Sequence, residues 1–132
     1  MKIMIVEDSR LVVQVLKEMI DKLPYSGKKD VSVYSNAEDA LDQMKACSAS
    51  TLPNLIILDL ELPGQHGLEF LQTLKSIPAW RDIPVIVNST SKKKDDVLGS
   101  YKGGALIFLK KDDEQQVFNE VIHALMIKGL LK

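Results

Sequence analysis

Several side chains in this sequence stand where chemistry would need them, directly after short apolar runs. Asp59 follows "LIIL" (55–58), and Glu7 and Asp8 follow "IMIV" (3–6). Ser89 and Thr90 follow "PVIVN" (84–88), and Lys110 and Lys111 follow "LIFL" (106–109). A charge at the tip of a buried strand is costly unless something there uses it. Three carboxylates gathered within several ångströms repel one another, which raises a pKa or demands a counter-ion. A hard divalent cation meets that demand, because Mg²⁺ takes oxygen ligands from one or two carboxylates together with water and phosphate. A neighbouring lysine and hydroxyl could hold the remaining oxygens of a phosphoryl group. The set points to Mg²⁺-assisted phosphoryl chemistry on an aspartate.

Taken singly, each of these residues has a plainer reading. Asp8, just ahead of "SRLVV", reads as a helix N-cap. Ser89 reads as a loop hydroxyl, and Lys110 and Lys111 as surface charges. Their joint placement after successive strands is what overturns those readings. His66 and His123 have no partners at metal-ligand spacing and are expected to be incidental, and Trp80 in "IPAWRDIP" is expected to pack in a loop. "KKK" at 92–94 reads first as a solvated helix start and second as a docking patch for an acidic partner.

Convergence of these groups requires that they share one edge of the fold. Between the apolar runs the spacing of apolar residues is helical. Val12, Val15, Leu16, Met19, Ile20 and Leu23 fit one face, ended by Pro24. Ala37, Ala40, Leu41 and Met44 fit a second, and Leu68, Leu71, Leu74 and Ile77 a third, stopped before Pro78. Residues 92–103 form a weaker helix ending at Gly103–Gly104, and 113–131 a strong one opened by "DDE", which suits a helix N-terminus. With "VSVY" (31–34) as strand 2, the order is strand then helix, five times over. Such alternation implies an α/β domain with a five-stranded parallel sheet and helices on both faces. Right-handed crossovers favour the doubly wound, flavodoxin-like order 2-1-3-4-5. All the polar residues named above then lie at the carboxyl edge. The acids of strands 1 and 3 meet at the topological switch point, where open α/β sheets bind ligands.

The chain has 132 residues, 45% of them hydrophobic and 27% charged, which suits one domain filling residues 1–132. A net charge of −1 makes no case for direct nucleic-acid binding. No apolar run approaches the ~18 residues of a membrane span, and "MKIMIVEDS" turns acidic too early for a signal peptide. Cys47 is the single cysteine, so neither a disulfide nor a thiol metal cluster can form within the chain. The expectation is a cytoplasmic protein without membrane insertion.

Four stretches together carry a family resemblance: "MIVEDS", "LIILDLELPGQHGLEFL", "DIPVIVNST" and "GGALIFLKK". Along essentially its whole length the chain resembles a response-regulator receiver domain of two-component signalling. The D-x-x-x-P-G-x-x-G spacing that starts at Asp59 is the most specific of the matches. The resemblance implies that Asp59 is the phospho-acceptor, supplied by a histidine kinase or histidine phosphotransfer protein. It implies a Mg²⁺ held directly by Asp8 and Asp59, by Glu7 largely through water, and by the main-chain carbonyl of Glu61. Ser89 would bond one phosphoryl oxygen and Lys111 another, while Phe108 would be the switch aromatic that rotates inward when Ser89 moves. Output would pass through the face made by helix 4, strand 5 and helix 5, to a downstream protein or to a second copy in a phosphorylation-dependent homodimer. Such a domain is no enzyme beyond self-phosphorylation from small donors and self-dephosphorylation.

Departures from the family pattern bear on kinetics and switch geometry more than on chemistry. Lys111 is followed by Asp112 where proline is usual, so a trans peptide is expected there. Thr90 replaces a smaller residue, Ser89 replaces the commoner threonine, and Phe108 lacks a tyrosine hydroxyl. Two other readings compete. A receiver-like interaction domain would take no phosphate. A small phosphatase of the haloacid dehalogenase type would also place an aspartate after an apolar strand, but with a second aspartate where Glu61 stands, and with room for a substrate cap. Helix 5 carries Val117, Phe118, Val121, Ile122, Leu125, Met126, Ile127, Leu130 and Leu131, more apolar surface than one face can bury. Part of it, with Tyr101 and Phe108, is expected to form an exposed patch.

Overall fold

The computed structural model describes residues 1–91, 93–111 and 115–129. Five strands alternate with five helices: β1 (Lys2–Val6), α1 (Arg10–Asp21), β2 (Asp30–Tyr34), α2 (Ala37–Ala46), β3 (Leu55–Leu58), α3 (Gly67–Ser76), β4 (Val85–Ser89), α4 (Lys94–Lys102), β5 (Ile107–Lys110) and α5 (Gln115–Ile127). The strands form one parallel sheet in the order β2-β1-β3-β4-β5, as the alternation predicts. Several expectations fall outside the described residues: Lys92 of the lysine run, the "DDE" opening of helix 5 at 112–114, the Lys111–Asp112 peptide, and Leu130 and Leu131.

Strands β3 and β4 are buried along their full length, which is why β3 reads as an apolar run throughout and β4 as one up to Asn88. Alternate side chains feed two cores. Met4, Val6, Ile56, Leu58, Val85 and Val87 face the layer containing Phe70, Leu71 and Leu74 of α3, with Trp80 packed into it. Ile3, Ile5, Leu55, Ile57 and Ile86 face Leu16 and Ile20 of α1 and Phe118, Ile122 and Leu125 of α5. Val15 departs from the expected α1 stripe: it is exposed, together with Leu11, so the buried face of α1 is narrower than its apolar spacing suggests.

The helix starts explain two polar residues near the sheet edge. Ser9, not Asp8, caps α1, its Oγ accepting the Val12 N–H at 3.3 Å. His66 caps α3, its Nδ1 accepting the Leu68 N–H at 3.1 Å, so this histidine is a structural cap. Asn36 does the same for α2, accepting the Asp39 N–H at 2.8 Å. Freed of the capping task, Asp8 is exposed at the carboxyl edge. No helix among the described residues is long and apolar enough to cross a membrane.

Candidate functional site

The site is assembled by the ends of the central strands. In the β1–β3 register Val6 lies opposite Leu58, so Glu7 and Asp59 leave the sheet at the same level. The backbone fixes both: the Asp59 N–H donates to the Val6 carbonyl at 3.0 Å, and the Glu7 N–H donates to the Tyr34 carbonyl at 3.0 Å. The turn after Asp59 follows from its spacing. Pro63 leads into Gly64 at φ 80°, a conformation that glycine adopts without strain. Three residues later the Gly67 N–H donates to the Leu60 carbonyl at 2.9 Å, bringing the start of α3 onto the backbone of the acceptor strand. A methyl group on Gly67 would lie 2.4 Å from the Asp59 carbonyl oxygen. The second glycine of the motif is therefore there for close approach.

Glu7, Asp8 and Asp59 each offer an oxygen, and these oxygens all lie within 4.8 Å of one another. Glu7 and Asp59 are each 3% exposed, so two of the three charges sit out of water. Lys111 answers them. Its Nζ lies 2.6 Å from Glu7 Oε1 and 3.4 Å from Asp59 Oδ2. Its own position is set by the main chain, where the Lys111 N–H donates to the Ser89 carbonyl at 3.3 Å.

The electrostatics follow from this packing. Burial pushes the Glu7 carboxyl above the ordinary carboxylate range, and the Asp59 charge adds to it. The hydrogen bonds from Lys111 and from the Ser9 N–H, the latter at 3.2 Å to Oε2, only partly offset that rise. Burial opposes the charge on Lys111 as well. The hydrogen bond to Glu7 and the charges of Asp59 and Glu7 outweigh that effect and hold the ammonium above its usual value. One positive charge thus faces three carboxylates. Asp59 Oδ1 is buried with no hydrogen-bond partner among the described residues, and Glu7 Oε1 is answered only by the Lys111 ammonium. An all-oxygen cluster with one buried, unsatisfied lone-pair site fits a hard divalent cation.

The remaining predicted residues differ in position and exposure. Ser89 ends β4 and is fully buried, its Oγ accepting the Ser91 N–H at 3.2 Å. Glu61 is exposed, two residues after Asp59. Phe108 is half-buried against the α3-side core, and its N–H donates to the Tyr101 hydroxyl at 3.2 Å. His123 is exposed on α5. Sequence reasoning did not single out Ser91 or Asp96, which are joined by a side-chain hydrogen bond beside Ser89. Both looked like ordinary loop and helix-surface residues, and nothing in their spacing marks them.

A family model for the response regulator receiver domain matches residues 3–123. The chain belongs to the response-regulator receiver family. The receiver is similar to the response regulator Rcp1 of Synechocystis sp., with 38% identity over 105 residues, 79% of this chain and 69% of that protein. It is also similar to the transcriptional regulatory protein CitT of Halalkalibacterium halodurans, with 28% identity over 127 residues, 96% of this chain. The receiver spans about half of CitT, 53% of its length. Among solved structures, the Mn(2+)-bound form of Rcp1 superimposes with a TM-score of 0.78 at 28% identity, covering 94% of this chain and 90% of that one. The phosphorylated cyanobacterial phytochrome response regulator RcpA does so with a TM-score of 0.79 at 28% identity, covering 94% and 89%. Phosphorelay signalling is the setting in which such a domain works.

Proposed function

We propose that this receiver is a phosphorelay switch whose Asp59 accepts a phosphoryl group from a histidine kinase or histidine phosphotransfer protein in a Mg²⁺-dependent reaction. The observation that carries the reading is the buried Asp59 carboxylate, held between Glu7, Asp8 and Lys111 with one oxygen unsatisfied. Asp8 and Asp59 would hold Mg²⁺ directly, Glu7 through water, and the Glu61 main-chain carbonyl would complete the protein's share. When bound, the ion neutralises charge on the phosphoryl oxygens and on the acids around them.

The chain's own residues supply the rest. An Asp59 oxygen forms the new P–O bond while the donor's P–N bond breaks, and the donor imidazole leaves with its electron pair. Lys111 moves its charge from the carboxylates toward a phosphoryl oxygen, and the Ser89 hydroxyl donates to another. Lys111, which already lies within reach of both Glu7 and Asp59, is the cation placed to make that move. A surface cleft lined by Glu7, Asp8, Arg10, Val13, Val33 and Ser35 opens beside two of the acids, on the side of α1 and β2. Movement of Ser89 would draw Phe108 inward and alter the α4–β5–α5 face. That face carries exposed apolar side chains: Leu98 and Tyr101 on α4, and Leu106 just ahead of β5. Helix α5 buries Phe118, Ile122 and Leu125 and leaves Val117, Met126 and Ile127 exposed, a surplus beyond its core stripe. A downstream protein, or a second copy of the chain, would dock there. The product is the domain's own modified state, formed in the cytoplasm without turnover of an external substrate.

The test is incubation with acetyl phosphate, with and without Mg²⁺, followed by intact mass. One phosphoryl group should add in Mg²⁺ and none in chelator. Asp59→Asn should abolish the gain, Glu7→Gln should reduce it, and Glu61→Ala should leave it, because only the main chain of Glu61 takes part. Full labelling of Asp59→Asn contradicts the assignment, and steady hydrolysis of small phosphate esters favours a phosphatase instead.

A further inference from the structure

The residues between β4 and α4 form a continuous hydrogen-bonded path that the site itself does not need. The Ser91 N–H donates to Ser89 Oγ at 3.2 Å. The Ser91 hydroxyl in turn donates to Asp96 Oδ2 in the first turn of α4, and accepts the Lys93 N–H at 3.3 Å. Asp96 is held from the other side as well, its carbonyl accepting the Ser100 hydroxyl at 2.7 Å. Ser89 and Ser100 are fully buried and Ser91 is 7% exposed, while Asp96 is half-buried at the helix start. Lys93, the N-cap of α4, makes no side-chain cap of its own. Ser91 therefore does from outside the helix what a cap residue does from its first position. It satisfies an amide at the helix start and anchors the Asp96 carboxylate there.

We propose that Ser91 is a positioning residue that makes the seating of α4 depend on the orientation of the Ser89 hydroxyl. The inference rests on the phosphorylation reading and adds to it the element that answers Ser89 first. Turning the Ser89 hydroxyl removes the acceptor of the Ser91 N–H, so Ser91 is the first residue of the loop to meet the change. Ser91 in turn bonds both the Lys93 N–H and the Asp96 carboxylate at the start of α4. The other end of α4 is tied separately, by the Tyr101 hydroxyl on the Phe108 N–H. Helix α4 thus reaches Phe108 directly through Tyr101, and Ser89 by way of Ser91. Ser91 acts on the helix and not on the acid cluster, so the link can be cut without removing a phosphoryl-binding group.

The experiment compares backbone amide NMR spectra of the full chain with Mg²⁺, with and without beryllofluoride as the phosphoryl mimic. Fluorine NMR reports occupancy at Asp59. In the unmodified chain the amides of Lys94–Lys102 should shift with those around Asp59. In Ser91→Ala, fluorine signals and shifts around Asp59 should persist while the shifts in the first turn of α4 are lost. Ser91→Thr, which keeps the hydroxyl, should restore them. Asp96→Ala cuts the path from the helix side and should reproduce the Ser91→Ala result even if the loop variant folds poorly. Bound beryllofluoride with an unchanged α4 response in both Ser91→Ala and Asp96→Ala overturns the coupling alone. Failure of beryllofluoride to bind the unmodified chain overturns the phosphorylation reading and the coupling with it.

Discussion

Gly67→Ala should be among the most destabilising single-atom additions in this protein, even though glycine there needs no unusual backbone angle. The added methyl would lie 2.4 Å from the Asp59 carbonyl oxygen and 2.6 Å from the Leu60 Cα. Both neighbours are backbone, and the Asp59 backbone is bonded to β1, so neither can give way cheaply. Overpacking of this kind typically costs about 1–3 kcal/mol where side chains can adjust, and a backbone clash belongs at or above the top of that range. For a domain of this size such a loss lowers Tm by roughly 10 °C. Gly64 supplies the control: it sits at φ 80°, and a methyl added there would meet open space. Its alanine variant carries only left-handed strain, about 1–2 kcal/mol. Urea or thermal unfolding should rank Gly67→Ala well below Gly64→Ala. An equal or reversed ranking contradicts the close approach of α3 to the acceptor strand.

Glu7→Gln should stabilise the metal-free protein at neutral pH while weakening its response to Mg²⁺. Glu7 is buried and its folded-state pKa is raised, by desolvation first and by Asp59 second. Between the ordinary carboxylate value and that raised value, the folded state binds more protons than the unfolded chain. Stability therefore falls as pH rises through this window, and the penalty is complete above it. Lys111 has the opposite linkage. Its raised pKa contributes stability that is fully present below the unfolded lysine value and is lost as pH rises through the folded one. At neutral pH the Lys111 contribution is fully present and constant, so the pH dependence on the acid side comes from Glu7. Glutamine keeps an oxygen for Lys111 and removes one buried charge, a relief on the order of 1 kcal/mol, as is common when functional sites are neutralised. The denaturation midpoint in chelator should be higher for Glu7→Gln than for the unmodified chain at pH 7. The two should converge as pH falls toward the ordinary carboxylate value. Saturating Mg²⁺ should reverse the order, since ion held at a hundredfold excess over Kd adds about 2.7 kcal/mol to the chain that binds it well. A less stable Glu7→Gln in chelator at pH 7 would show that the Lys111 contact outweighs the buried charge.

Much of the fold was legible because its interior is simple. A parallel sheet covered on both faces needs strands apolar throughout, so "LIIL" and "PVIVN" stood out as runs, and Asp59 stood out by ending one. The acid cluster was legible for the same reason, since strand order brings the ends of β1 and β3 together. What escaped was whatever depends on loop path or on competition between neighbours. The identity of the α1 cap, Ser9, depends on the exact turn into the helix. Val15 matched the helical period yet lies outside the buried face, because period alone does not say how wide the covering surface is. The role of Gly67 was visible only as spacing, and its reason is a backbone contact across two elements. The shortest contact of Lys111 is with Glu7, which an ordering of residues along the chain cannot show. The Ser91–Asp96 bond joins two unremarkable residues whose meeting depends on the turn between β4 and α4.

The central claim is that Asp59, among three adjacent carboxylates, is the nucleophile, and reductive trapping tests it most directly. The protein is treated with acetyl phosphate and Mg²⁺, reduced with borohydride so that an acyl phosphate becomes the corresponding alcohol, and mapped by peptide mass. The account predicts homoserine in place of Asp59 alone, formed only when Mg²⁺ is present, with Glu7 and Asp8 unchanged. Reduction at Glu7 or Asp8, or the same yield in chelator, would contradict it.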